Sequence, residues 1–422
     1  MSNIQPDSAA STAVPPEVET TRPRRGGLGG ARWALPLLPP GGWPSVARLV
    51  VYWGIIAGLF GFAVVYAFTT IHLVFPDSMY YYGRALYYAG YSQTEAHQLV
   101  QAFAERQGWG SPDADMLFNW TLVAPRVVYP ALSAPFVYLW GYEGLLVVPF
   151  VATTLIYFAT AWVLRVRYGM LVGLATMLVV LQCQHWIWQQ LGPLCEVLTA
   201  FWLALTLGAV WCYRRFRPSR GAWLWLVAAG VCTVLLAFTR QAMLIPAGAF
   251  FMVWVGEWIR TKRVRNSWLA ASSVVVGVSA ACQLYQMVRY PFDQTSQMQR
   301  MTGTAGVKDA IWAMPGQLYR VLKSDFELFW KADQSMLVCI ALVLVGLVVC
   351  WRQVESHLAF GALAGGMIYQ ATNGSLSTSL RYCQPGLVTY LLVIAALLAW
   401  LANKRDRRRS PVSQNQLGAA KV

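Results

Sequence analysis

The residues best placed to do chemistry in this chain are charged groups beside long apolar runs. Asp77 lies in Phe75-Pro76-Asp77-Ser78-Met79-Tyr80-Tyr81-Tyr82, directly after the first such run, about Val46 to Ile71. A carboxylate there can cap the helix expected to begin near Met79, since Asp is a favoured N-cap. It can equally act as a base facing a site at the membrane surface, with Tyr80 and Tyr81 beside it. Glu196 enters another apolar run just after Pro193, downstream of His185 and Trp186. An acid so placed must face a polar cavity rather than lipid. Arg126 precedes a short apolar stretch, Arg240 stands alone in the tight link Phe238-Thr239-Arg240-Gln241, and Arg381 opens the last run. A guanidinium at such a boundary either snorkels to water or holds an anion. Asp113 and Asp115 form an Asp-Ala-Asp triplet. Alternate acids can hold a hard cation, so Mg²⁺, Mn²⁺ or Ca²⁺ is the one cofactor left open, beside the plainer reading of two solvated carboxylates.

The elements that must position these groups are helices in a bilayer. Of 422 residues, 57% are hydrophobic and 12% charged, the composition of a polytopic membrane protein. The expected fold is all-α, with about ten transmembrane helices starting near residues 46, 143, 168, 194, 222, 241, 267, 335, 357 and 384. There are eleven if the 126–140 element spans. That element is short, proline-rich and ends at Gly141, so it reads as half-buried or re-entrant. The first outer loop should carry amphipathic juxtamembrane helices. Ser92-Gln-Thr-Glu95 is a capping box for a helix of about 93–107, with Ala96, Leu99, Val100 and Phe103 on a face suited to the membrane surface. Residues 45–402 then form the transmembrane catalytic body, 1–44 a disordered cytoplasmic tail and 403–422 a basic cytoplasmic tail.

Charge distribution assigns the sides. On this topology 22 of the 33 Lys and Arg fall on the side of both termini and 11 on the other, whereas only 6 of 18 acids share the basic side. The positive-inside rule makes the basic side cytoplasmic, placing the protein in the plasma (inner) membrane with its acids outside. The net charge of +15 is therefore a topology and lipid signal, not one for nucleic acid. Eight cysteines show no metal-like spacing; Cys183 and Cys195 flank one outer loop, where a disulfide is open.

Taken in order, Phe-Pro-Asp77-Ser-Met-Tyr-Tyr, Arg126-Val-Val-Tyr-Pro-Ala-Leu, Pro193-Leu-Cys-Glu196 and Arg381-Tyr-Cys-Gln-Pro make the chain resemble the C-type (GT-C) membrane glycosyltransferases. The resemblance spans roughly residues 46–400 and lies in the order of short motifs. It implies a polyprenyl-phosphate-linked sugar as donor, a glycan, lipid or protein acceptor, and an active site on the extracytoplasmic face. Asp77 would be the catalytic base. Tyr80, Tyr81, His185, Trp186 and Glu196 would meet the acceptor or sugar, and Arg126, Arg240 and Arg381 the donor phosphate. The chemistry is consistent: such a transfer needs one carboxylate to take the acceptor's proton and cations to stabilise the departing phosphate. A single base opposite the leaving group would invert the anomeric centre. Another lipid-linked transferase, or a ligase of envelope polymers, would use similar parts. A transporter would place charges in mid-span and show internal repeats, and the sequence has neither pattern.

Overall fold

The computed structural model describes residues 42–70, 73–290, 294–373 and 380–409. Of the expected tails only residues 42–44 and 403–409 are among these, and both belong to helices; the remainder lies outside the described residues. The first part of the chain gives α1 (Gly42–Thr70), α2 (Ser78–Tyr88), α3 (Gln93–Arg106), α4 (Ala114–Asn119) and α5 (Val128–Trp140). After a 3-10 turn at Gly141–Leu146 come α6 (Val147–Tyr168), α7 (Met170–Leu181), α8 (Gln184–Leu191), α9 (Glu196–Phe216) and α10 (Trp223–Thr239). Then follow α11 (Leu244–Thr261), α12 (Leu269–Arg289), α13 (Gln294–Thr302) and α14 (Val307–Ala332). The chain closes with α15 (Gln334–Val349), α16 (Val354–Asn373), a second 3-10 turn at Arg381–Gly386, and α17 (Leu387–Arg409).

Among the described residues, five helices are long and apolar enough to cross a bilayer, six if α7 and α8, bent by 78°, are one broken span. That defines a helical membrane protein. The other expected spans are present as helices but are shorter or less apolar. α10 has 17 residues and α15 has 16, about 24–26 Å of helix against a hydrocarbon core of about 30 Å.

The stretch Val128–Tyr168 passes the same test as one continuous unit, yet it is not one straight rod. In an unbroken helix, residues eight apart lie about 12 Å apart along the axis. Here a Cβ on Gly144 would collide with the Phe136 carbonyl. The Tyr129 hydroxyl, sixteen residues earlier, donates to Leu145 O at 2.9 Å. The chain therefore doubles back at Gly141, whose φ of +64° suits glycine. With 13 residues, α5 is too short to cross alone. It behaves as the half-buried element its prolines suggested.

Small residues set the tightest helix crossing. Gly248 of α11 and Gly361 of α16 meet backbone to backbone, Gly365 lies on Leu244, and Gly256 receives the His357 ring. The pairing runs antiparallel, and any Cβ at 248 or 361 would strike the facing carbonyl. Close backbone approach of this kind replaces the hydrophobic drive that lipid removes.

At the start of α3 the capping box forms as expected: Ser92 N donates to Glu95 Oε2 at 2.8 Å, and Glu95 N to Ser92 Oγ at 3.2 Å. The apolar face of α3 differs from the expectation. Ala96, Val100 and Phe103 are buried, and Phe103 stacks on Tyr142 at 4.0 Å and meets Tyr82 edge-on. Protein aromatics cover that face rather than lipid, leaving Leu99 exposed.

Candidate active site

Glu196 is the centre of the site. As the first residue of α9 it is fully buried, and its Oε1 accepts from two guanidinium groups: Arg240 Nη1 at 2.5 Å and Arg381 Nε. Arg240 follows α10 directly and Arg381 opens the 3-10 turn before α17, so three separate segments converge on one carboxylate. Arg381 Nη2 also lies 2.8 Å from Asp77 Oδ2. The Arg240 guanidinium sits over the Tyr382 ring, 4.9 Å from its centre.

Asp77 occupies the N-cap position of α2, yet its side chain makes no capping bond. The reason is its backbone, with φ −61° and ψ −26°, already helical. A capping side chain folds back from an extended residue, and Asp77 is not extended. Its carboxylate is directed to Arg381 instead and remains 49% exposed. The turn carrying it is pinned on both sides: Ser78 Oγ lies 2.7 Å from the Tyr142 hydroxyl, and Phe75 stacks on Trp188 at 4.9 Å.

Arg126 completes the cluster. It is buried, and its Nη1 donates to the Tyr81 hydroxyl at 2.8 Å. The same hydroxyl lies 3.0 Å from Cys195 Sγ, where either group can donate. Among the described residues no carboxylate lies within ion-pair distance of Arg126, and its Nε has no hydrogen-bond partner. Three arginines facing two carboxylates leave one positive charge in excess, on a buried guanidinium. A buried charge without a partner is costly, so the cluster is poised for an anion.

The remaining expected residues take different places. Tyr80 is half-buried, its ring 5.0 Å from Trp120; burial raises its hydroxyl pKa, with Asp77 and Asp113 adding to the effect. His185 bonds Asp333, through N–H at 2.9 Å and Nδ1 at 3.1 Å, and joins α8 to the start of α15. Trp186 is only 3% exposed and stacks on Tyr390 inside the bundle, so it offers no face to a sugar. Asp113 caps α4 by accepting from Met116 N at 2.7 Å, and Asp115 accepts from Asn119 Nδ2 at 2.8 Å. Among the described residues no group of three or more His, Cys, Asp or Glu could hold a metal ion. Cys183 and Cys195 are both free thiols, not a bridge. Cys195 instead touches Tyr81 and, at 3.6 Å, Arg240.

Sequence reasoning missed Tyr382, Cys195 and Asp325. The first two adjoin Arg381 and Glu196, and adjacency was the available signal. Asp325 lies in α14, 55 residues before Leu380, whose N–H it accepts at 3.0 Å; no local pattern points to that bond.

No family model matches this chain, and no curated protein or solved structure matches it either.

Proposed function

We propose that this protein is a membrane glycosyltransferase that moves a sugar from a polyprenyl-phosphate donor to an acceptor hydroxyl on the extracytoplasmic face. The observation that carries the reading is the pairing of a half-exposed carboxylate, Asp77, with a largely buried arginine cluster holding one excess positive charge. A lipid-phosphate sugar is a phosphodiester with one negative charge, which neutralises that excess. In this reading the acceptor oxygen bonds to the anomeric carbon as the bond from that carbon to the phosphate oxygen breaks. The proton passes to Asp77 and the electron pair leaves with the phosphate, held by Arg126, Arg240 and Arg381. With one base opposite the leaving group, the anomeric centre inverts.

The Asp77–Arg381 pair fits an ordered sequence. While Arg381 engages Asp77, that carboxylate oxygen is occupied; a phosphate competing for Arg381 frees it to meet the acceptor hydroxyl. Tyr80, beside Asp77, is placed to meet the acceptor. A divalent cation on Asp113 and Asp115 has no part in this reading, because both carboxylates serve helix ends. The reading includes about ten crossings of the plasma membrane, with both termini cytoplasmic and α5 re-entrant, as the charge distribution supports.

The test is Asp77→Asn. Because Asp77 makes no capping bond, the variant should fold and bind lipid-phosphate sugar normally while turnover falls roughly 10²–10⁴-fold, the usual worth of a general base. Near-normal turnover on a donor the wild type uses would remove the base from Asp77.

A further inference from the structure

The end of the bundle where α11 finishes and α16 begins holds a second feature, independent of the reading above. Between α11, α15 and α16 lies a groove of about 630 Å³. Its walls include Ile259, Leu347, Trp351 and Phe360, and its lining also contains Arg260 and Arg352. Because Gly256 has no side chain, the His357 ring seats against its backbone and lines the groove.

The two arginines differ in their pairing. Arg260 forks onto Glu257 but keeps its side chain 57% exposed. Arg352 lies over the Trp351 ring at 5.2 Å and, among the described residues, has no carboxylate within ion-pair distance. The nearby Glu355 does not serve it, since that carboxylate takes Arg167 and accepts from the Tyr168 hydroxyl at 3.0 Å. Lys262, Arg263 and Arg265 follow α11 and add charge of the same sign at this end.

An apolar trough with cations in its lining, in a protein that spans a bilayer, matches one kind of molecule: an amphiphile with an anionic head. A free phosphate would leave the apolar walls unused, and a zwitterionic lipid would bring its own cation in among these arginines. We propose that this groove is a binding site for one anionic glycerophospholipid, its phosphate on Arg352 and Arg260 and an acyl chain along Ile259, Leu347 and Phe360. Basic pockets between transmembrane helices recognise anionic headgroups by this combination of charge and apolar wall. On the topology proposed above the lipid comes from the cytoplasmic leaflet, although the groove's chemistry does not depend on that assignment.

The test uses full-length protein, purified and delipidated in detergent, titrated with phosphatidylglycerol or phosphatidylcholine of identical chains and read by native mass spectrometry. Wild-type protein should retain one phosphatidylglycerol with roughly tenfold preference. Arg352→Gln with Arg260→Gln should erase the preference, whereas Arg215→Gln, on an exposed residue outside the groove, should keep it. Phe360→Trp, filling the trough, should weaken both lipids, and inorganic phosphate should fail to displace the bound lipid. A thermal melt confirms that each variant is folded; should the double variant melt early, Arg352→Gln alone carries the charge test and should reduce the preference. Equal binding of the two lipids by wild type, preference surviving in the folded arginine variants, or displacement by phosphate alone would overturn the proposal.

Discussion

The Asp325 carboxylate accepts the backbone N–H of Leu380 at 3.0 Å, and Leu380 holds a left-handed conformation, φ +54°, directly before Arg381. Such a conformation costs a residue with a Cβ about 1–2 kcal/mol, so something must hold it. The same Asp325 oxygen accepts from Gln370 Nε2 of α16 at 3.2 Å. Helix α14 thus fixes the segment that aims Arg381 at Glu196 and Asp77.

Replacing Asp325 by Ala leaves a buried N–H unsatisfied and frees Leu380 to relax. The expected result is a stability loss of about 1–3 kcal/mol and a fall in turnover on the order of 10²-fold, the cost of displacing a catalytic group by about 1 Å. Leu380→Gly in the Asp325→Ala background should recover part of the stability and none of the turnover, because glycine removes the strain without restoring the aim of Arg381. Melting curves and steady-state rates on the same preparations separate the two effects.

Arg126 and Glu196 should respond oppositely to neutralisation. Glu196→Gln leaves Arg240 and Arg381 without their shared partner and should destabilise by about 3–5 kcal/mol, the usual cost of breaking a buried ion pair. Arg126→Gln removes the excess charge. The ligand-free protein should melt no lower than wild type while its affinity for a lipid-phosphate sugar falls at least about tenfold, as expected for lost charge-assisted bonds. A melt lowered as far as that of Glu196→Gln would make Arg126 structural.

The junction of α14 and α15 should be sensitive to acid. Burial pushes the Asp333 carboxyl up, but hydrogen bonds from the His185 ring and backbone and from Ser335 outweigh it and hold the group below its ordinary value. A lowered pKa means the folded state binds its proton later than the unfolded chain, at about pH 3.9 for free Asp. The stabilisation is complete above that pH and is lost as pH falls through the lower, folded value. Asp333→Asn should therefore melt below wild type at pH 6–7 (about neutral conditions), and the gap should close on acidification. A gap that persists unchanged to the acid limit would remove the ionic part of the contact.

Sidedness is open to direct labelling. Cysteine placed at the exposed positions Gln98 and Asp309 should react with an impermeant thiol reagent in intact cells, and cysteine at exposed Arg215 should not. The natural cysteines are buried or half-buried, which keeps background low. The reverse pattern would invert the proposed topology.

The parts of this architecture that were legible in the sequence share a physical cause. Ser92 and Glu95 meet because a capping box is local, three residues apart, so its formation needs no knowledge of the fold. Arg126, Glu196, Arg240 and Arg381 stood out because a charge beside an apolar run has few places to go in a bilayer. Their convergence on Glu196 depends on three helix ends meeting, which no spacing encodes. Trp186 shows the opposite problem: an aromatic at a span boundary fits an interface belt as well as a core, and only packing against Tyr390 decides. The face of α3 was legible as apolar but not as covered, because its cover, Tyr142, lies beyond the α5 turn.

The glycine crossing of α11 and α16 has a mechanical consequence. A helix seated backbone to backbone at Gly361 and Gly365 cannot bend there without opening the contact. One end of α16 presents His357 at the groove between α11, α15 and α16, and the other presents Gln370 to Asp325, the support of Arg381. α16 is in effect a lever seated at its middle, and a push at either end is delivered to the other. A methyl group at position 361 would tilt it, loading the groove and the support of Arg381 at once.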